Sequence, residues 1–173
     1  MEQKMQTYFV AEKAESVIFM LVGIIAIIGA LIGIFYLKKP MWNGMAIPLI
    51  LVAFIQITVG ATVYFRTDKQ LKNLIEAYKK EPKKYVKEEL ERMIVVNKNF
   101  DIYKYVEIAL LVIGLALIVV EMFWMKDKPF WLGIGIGLAL QSSIMLGADF
   151  FAESRADVYT AQLMELEKNL QFQ

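Results

Sequence analysis

Four long apolar runs divide the chain. Val17–Leu37 is 21 residues without a charge. Gly44–Phe65 is a second run, interrupted only by Pro48, Gln56 and small residues. Val106–Met125 is a third, with Glu107 at one end and Glu121 near the other. Phe130–Ala152 is a fourth, with Asp149 near its end. A helix rises about 1.5 Å per residue, so about 20 apolar residues cross a hydrocarbon core about 30 Å thick. The pattern predicts four transmembrane helices over about 17–37, 44–65, 106–125 and 130–152. The alternative, a soluble all-α core, would require four consecutive fully apolar helices in a small protein, where amphipathic helices are the rule.

Outside these runs the pattern becomes a stripe. Leu71, Leu74, Ile75 and Tyr78 recur at helical spacing. Glu81-Pro82 ends that stripe, because a residue before proline avoids helix and proline suits a helix start. Val86, Leu90, Met93, Asn97, Phe100 and Tyr103 form the next stripe, which leads into the third span. Tyr159, Leu163, Leu166 and Leu170 repeat it in the tail, and Met5, Tyr8 and Phe9 begin it at the start. Each membrane helix is therefore expected to continue past the lipid by about 16 residues, or about 24 Å. The expected fold is an all-α integral membrane protein, an antiparallel four-helix bundle of two tandem transmembrane hairpins. The hairpins are 1–81 and 82–173, packed as one bundle whose helices extend into the cytoplasm.

A repeat supports the two-hairpin reading. Lys39-Pro40-Met41-Trp42-Asn43-Gly44 and Lys128-Pro129-Phe130-Trp131-Leu132-Gly133 share a Lys-Pro-x-Trp-x-Gly frame 89 residues apart. Aligned without gaps, residues 39–76 and 128–165 are identical at 12 of 38 positions. The matches include the polar Arg66/Arg155 and Asp68/Asp157, which similarity between two greasy helices would not produce. Each frame is read as a hairpin tip: proline and glycine turn the chain, and tryptophan pins it at the interface. Trp42, Trp124 and Trp131 are the expected interface anchors. Gly29/Gly33 and Gly133/Gly137 lie at similar distances from their tips and predict close packing of the first helix on the fourth. The same Gly-x-x-x-Gly spacing also serves homodimers, its competing use.

Charge orients the hairpins. Lys38, Lys39, Lys126 and Lys128 lie on the tip side, and the other 15 of 19 Lys and Arg on the opposite side. By the positive-inside rule both termini and the middle segment are cytoplasmic, with the chain in a bacterial inner membrane. Met1–Ala14 mixes acids and bases and the run after it lacks a cleavage site, so the first span is expected to stay as an uncleaved anchor.

Counting from the tips places the polar residues by height. Glu15 falls level with about residue 65, next to Arg66, and Arg155 within reach of Asp101 and Glu107. Glu15, Arg66, Asp68, Asp101, Glu107, Asp149, Glu153, Arg155 and Asp157 thus form an expected belt near the cytoplasmic boundary, where charges are cheaper than at the midplane. Gln141 and Ser142 lie deeper, and Ser142 shares a helix face with Asp149 seven residues on. The belt is either a set of ion pairs fixing helix depth or the lining of a polar path. Lys79, Lys80, Lys83, Lys84 and Lys87 make the densest basic patch, at the inner turn. That turn is about 24 Å from the bilayer, which disfavours lipid headgroups and favours a protein partner.

Composition narrows the chemistry. The chain is 58% hydrophobic, above the 45–50% usual for soluble domains, with net charge +1. It has no cysteine and no histidine. That removes disulfides, Cys/His zinc sites, histidine-held haem, thiol nucleophiles and the commonest general base. No metal, cofactor or nucleic acid is expected. The function expected is a non-enzymatic docking, assembly or accessory subunit (an immunity-type factor among the options) acting through its cytoplasmic helical stalk. The alternative is a small ion or proton channel or transporter using Asp149, Glu107 and Glu15. A membrane enzyme would have only carboxylates and tyrosines to work with.

Overall fold

The computed structural model describes residues 1–125 and 127–171 and contains four long helices. Lys126, counted above on the tip side, lies outside the described residues. Helix α1 is Glu2–Ile32, and Gly33–Leu37 continues it as a wider π-turn. Helices α2, α3 and α4 are Pro40–Lys80, Pro82–Phe123 and Pro129–Gln171. There is no strand among the described residues.

Prolines set three of the four helix starts. Pro40, Pro82 and Pro129 each take the first helical position, where a missing N–H costs nothing and the fixed φ already suits a helix. The extended Lys39 and Glu81 before them fit the same rule. At the first tip Lys38 turns the chain with φ 52°, and its N–H closes on the Gly33 carbonyl at 3.0 Å.

Helix α1 packs along α2, α3 along α4, and α2 crosses against α4. Contacts between α1 and α2 run from Gly33 with Trp42 through Gly23 with Ile57 to Lys13 with Asp68, so numbers fall on α1 as they rise on α2. All four helices are long and apolar enough to cross a membrane. The most apolar 18-residue stretch of α1 and of α3 is only 17% buried within the protein.

The glycines correct two expectations. Gly44 and Gly133 lie inside α2 and α4 rather than at a turn. A Cβ on Gly44 would collide with the Phe130 carbonyl, and one on Gly133 with the Met41 carbonyl. Phe130 and Met41 are equivalent positions of the repeat, so the contact is reciprocal. Gly137 seats the Pro48 ring, again two equivalent positions meeting. The repeat therefore packs on itself through α2 and α4. Gly133 and Gly137 serve that contact, not one with α1. Gly29 has nothing within 4 Å of an added Cβ, and Gly33 lies under the Trp42 ring. Spacing in sequence told that these glycines share a face, but not which neighbour the face meets.

The large core lies away from the tips. Met5, Tyr8, Phe9, Tyr85, Val86, Met93, Ala156, Tyr159 and Leu163 form one buried cluster. Leu71, Leu74, Ile75 and Tyr78 of α2 pack against it. Most of the stripe residues read from the sequence line this core, but Tyr103 is exposed instead; the core divides the bundle into a charged half and an apolar half nearer the tips.

Candidate functional site

Within the charged-half core sits a polar cluster. Glu89 is 2% exposed. Arg92, one turn on, grips it with two bonds, Nε to Oε2 at 2.8 Å and Nη2 to Oε1 at 2.7 Å. The Tyr159 hydroxyl donates to Glu89 Oε1 at 3.2 Å and lies 2.9 Å from the Tyr85 hydroxyl. With its own proton given to Glu89, Tyr159 accepts from Tyr85. Tyr8 stacks on Tyr159 with centroids 4.5 Å apart. Arg92 lies over Phe9 and Arg155 over Tyr8, at 5.7 and 5.6 Å.

Protonation states follow from burial. It pushes the Tyr8 phenol up to about 12, with Glu12 adding to it. It pushes Tyr85 and Tyr159 up further, so both hold their protons and serve as donors. Burial works against the Arg92 charge, but the Glu89 bonds outweigh it and the net direction is upward. Glu89, Arg92, Tyr85 and Tyr159 each have a hydrogen-bond partner, so with Tyr8 stacked on Tyr159 the cluster acts as a clamp joining α1, α3 and α4. The sequence reading passed over it because Glu89 and Arg92 stand in a Lys/Glu-rich run. The signal was spacing: Glu89 falls three residues after Val86 and four before Met93, on the buried stripe.

Above this clamp is the α2–α3 turn. Lys79, Lys80, Lys83, Lys84 and Lys87 are all exposed there. A groove of about 300 Å³ opens at the turn, lined by Lys80 and Lys84 of these and by Glu76, Glu81, Glu88 and Tyr85 among others. Tyr85 belongs to both groove and clamp, so the groove rests on a rigid base.

Between the two halves lie the belt residues, with partners other than those the height count gave. Glu15 pairs with Arg155, on α4, and not with Arg66. Arg66 pairs with Glu12 at 3.4 Å. Asp68 takes Lys13 at 2.5 Å, Glu153 takes Lys104 at 2.6 Å, and Asp101 shares Lys104 at 3.8 Å. These bonds push both lysines above their usual range, since each favours the charged form. Asp157 accepts from Asn97 at 3.0 Å. Direction round the helix decided the partners, and the sequence does not display it.

In the apolar half the buried polar residues line the helix seams. Gln56 donates to Gln141 at 3.3 Å, joining α2 to α4, and Ser142 is buried beside them on α4. On α3 the only buried residues past Met93 are Glu107, Gly114 and Glu121, two heptads in register. Glu107 is 2% exposed and neither of its oxygens has a hydrogen-bond partner, and the register set by the Lys104–Glu153 bond brings Asp149 of α4 level with it. Of the expected anchors, Trp124 is 75% exposed and Trp131 43%, while Trp42 half-buries against Gly33. Among the described residues no group of three His, Cys, Asp or Glu side chains is placed to hold a metal ion. Comparison with known protein families, with curated proteins and with solved structures finds no match, so the geometry alone carries the functional reading.

Proposed function

We propose that the apolar half lies in a bacterial inner membrane as two antiparallel hairpins, with both termini and the charged half in the cytoplasm. The charged half then acts as a rigid stalk that docks one protein partner, and the protein is a non-enzymatic assembly or accessory subunit. The observation that supports this reading is the α2–α3 turn: five exposed lysines, of which Lys80 and Lys84 line a groove together with Glu76, Glu81 and Glu88, above a core in which Tyr85, Tyr159, Glu89 and Arg92 bond one another. Such a surface suits an acidic protein face, recognised by charge at the rim and shape in the groove. Depth keeps it away from lipid headgroups, because the turn stands about 24 Å beyond the bilayer.

Two measurements test it. Reversing Lys80, Lys83, Lys84 and Lys87 to Glu is expected to abolish co-purification of the partner from native membranes while the protein stays in the membrane fraction. Unchanged co-purification would sink the docking role. Topology has a separate check, made simple by a chain without cysteine. A Lys87→Cys variant is expected to resist an impermeant maleimide in intact cells and to react once the membrane is opened. Labelling in intact cells would place the stalk outside.

The conduction alternative has one observation in its favour, the Glu107–Asp149 pair. Glu15, the third residue of that reading, pairs with Arg155.

A further inference from the structure

We propose that Glu107 and Asp149 form a proton-binding site, two carboxyl groups sharing one proton in the seam between α3 and α4. This rests on the bilayer placement above but not on the docking role. Four observations lead to it.

The first is a facing pair without a donor. Glu107 is 2% exposed with neither oxygen bonded, and the Lys104–Glu153 bond sets a register that brings Asp149 level with it across the α3–α4 seam. Two ionised carboxylates can only accept, so a facing pair bonds only when one of them carries a proton. The second is charge balance. The nearest cations are engaged elsewhere: Lys104 with Glu153 and Asp101, and Arg155 with Glu15. Helix α2 has no charged residue from Pro40 to Phe65, and α1 none from Ser16 to Leu37. Nothing on any packed helix offsets two negative charges, and a buried uncompensated charge is strongly unfavourable.

The third observation selects the ligand. A metal ion would need several more oxygen ligands, and no third carboxylate is placed to supply one among the described residues. A proton needs only the two that are present. The fourth is access. The pair lies about one turn from Lys104–Glu153, at the charged half, so protons reach it from that side. Deeper in the seam, Gly114 packs against the Gly135 carbonyl and closes the path by backbone contact. The site therefore loads and unloads from the cytoplasmic side. It is a protonation switch rather than a through-route, and its occupancy sets whether α3 and α4 attract or repel each other there.

The test uses the full chain in phosphatidylcholine vesicles, with flotation reporting separately whether it is in the bilayer. Dicyclohexylcarbodiimide reacts with a protonated carboxyl in an apolar setting. The carboxyl oxygen bonds to the central carbon and the proton moves to a nitrogen, so nothing leaves. Peptide mapping is expected to find the adduct on Glu107 or Asp149 at neutral pH, with Glu153 unmodified as the ion-paired control. Raising the pH from 6 to 9 should slow the reaction at least about tenfold. Glu107→Gln, which keeps shape, should remove the protonated-carboxyl band from the infrared spectrum. Three results would overturn the proposal: no adduct on either residue in floated vesicles, protection by sodium at constant pH, or a band unchanged in E107Q.

Discussion

The two halves of this bundle are built on opposite plans. In the charged half the fully buried side chains are large: Tyr159, Phe9, Met5, Met93 and Leu163. In the apolar half they are small or polar: Ala46, Ala53, Gly44, Gly133, Gln56, Gln141 and Glu107. There most large residues face outward, with Phe54 and Phe65 at 70% and 80% exposure, while Leu49 stays buried beside Ala30 and Ala46. In water, burying large apolar surface drives helices together. In lipid that drive is absent, and helices are held by close backbone approach and hydrogen bonds between them. One chain thus carries both kinds of packing on the same four helices.

The difference can be broken from either side. The largest effect is expected in the charged half. Tyr159→Ala empties the centre of the core and strips a donor from buried Glu89, and should cost about 3–5 kcal/mol. Thermal unfolding in detergent, read by tyrosine near-ultraviolet circular dichroism, measures it. A loss under about 1 kcal/mol would mean that the stalk core does not set stability.

Alkaline pH probes the same core more gently. Tyr8 holds its proton more tightly folded than unfolded. Its contribution is therefore complete below pH 10, the unfolded value, and is lost as pH rises through about 12. Stability should fall across that window, by about 2 kcal/mol from Tyr8 at its upper end. Tyr8→Phe should flatten the fall by that amount, and an equal slope in both proteins would contradict the assignment.

The smallest effect contrasts two glycines in the apolar half. Alanine favours helix over glycine by about 1 kcal/mol. Gly29→Ala meets open space and should be neutral or mildly stabilising. Gly133→Ala drives a methyl into the Met41 carbonyl of α2, and should cost about 1–3 kcal/mol despite the helix gain. Denaturation in micelles ranks the pair, and equal values would mean that α2 and α4 do not rely on this contact.

Much of the architecture was legible in advance because it is written in one dimension. Helix extents follow from apolar runs and from prolines at 40, 82 and 129, and both are local. The stripe residues Met5, Tyr8, Phe9, Met93, Tyr159 and Leu163 all reach the core for the same reason. The candidate sites were legible only in part. The exposed lysines of the turn and the height of Glu107 and Asp149 could be counted. The Glu89–Arg92 clamp was hidden because a charge in a charged run looks solvated until its stripe is traced.

The sequence by itself determined which segments are helical, where they end and at what height each polar residue sits. Those properties depend on composition, period and rise per residue. The tertiary structure decided the rest: that α2 rather than α1 meets α4 at the repeat glycines, that Arg155 holds Glu15, and that Glu107 comes level with Asp149 with no donor on its oxygens. The physical reason is rotation. A side chain's height is set by counting along its own helix, but its partner is set by the angle at which two helices meet. That angle is fixed here by where glycines let the backbones touch.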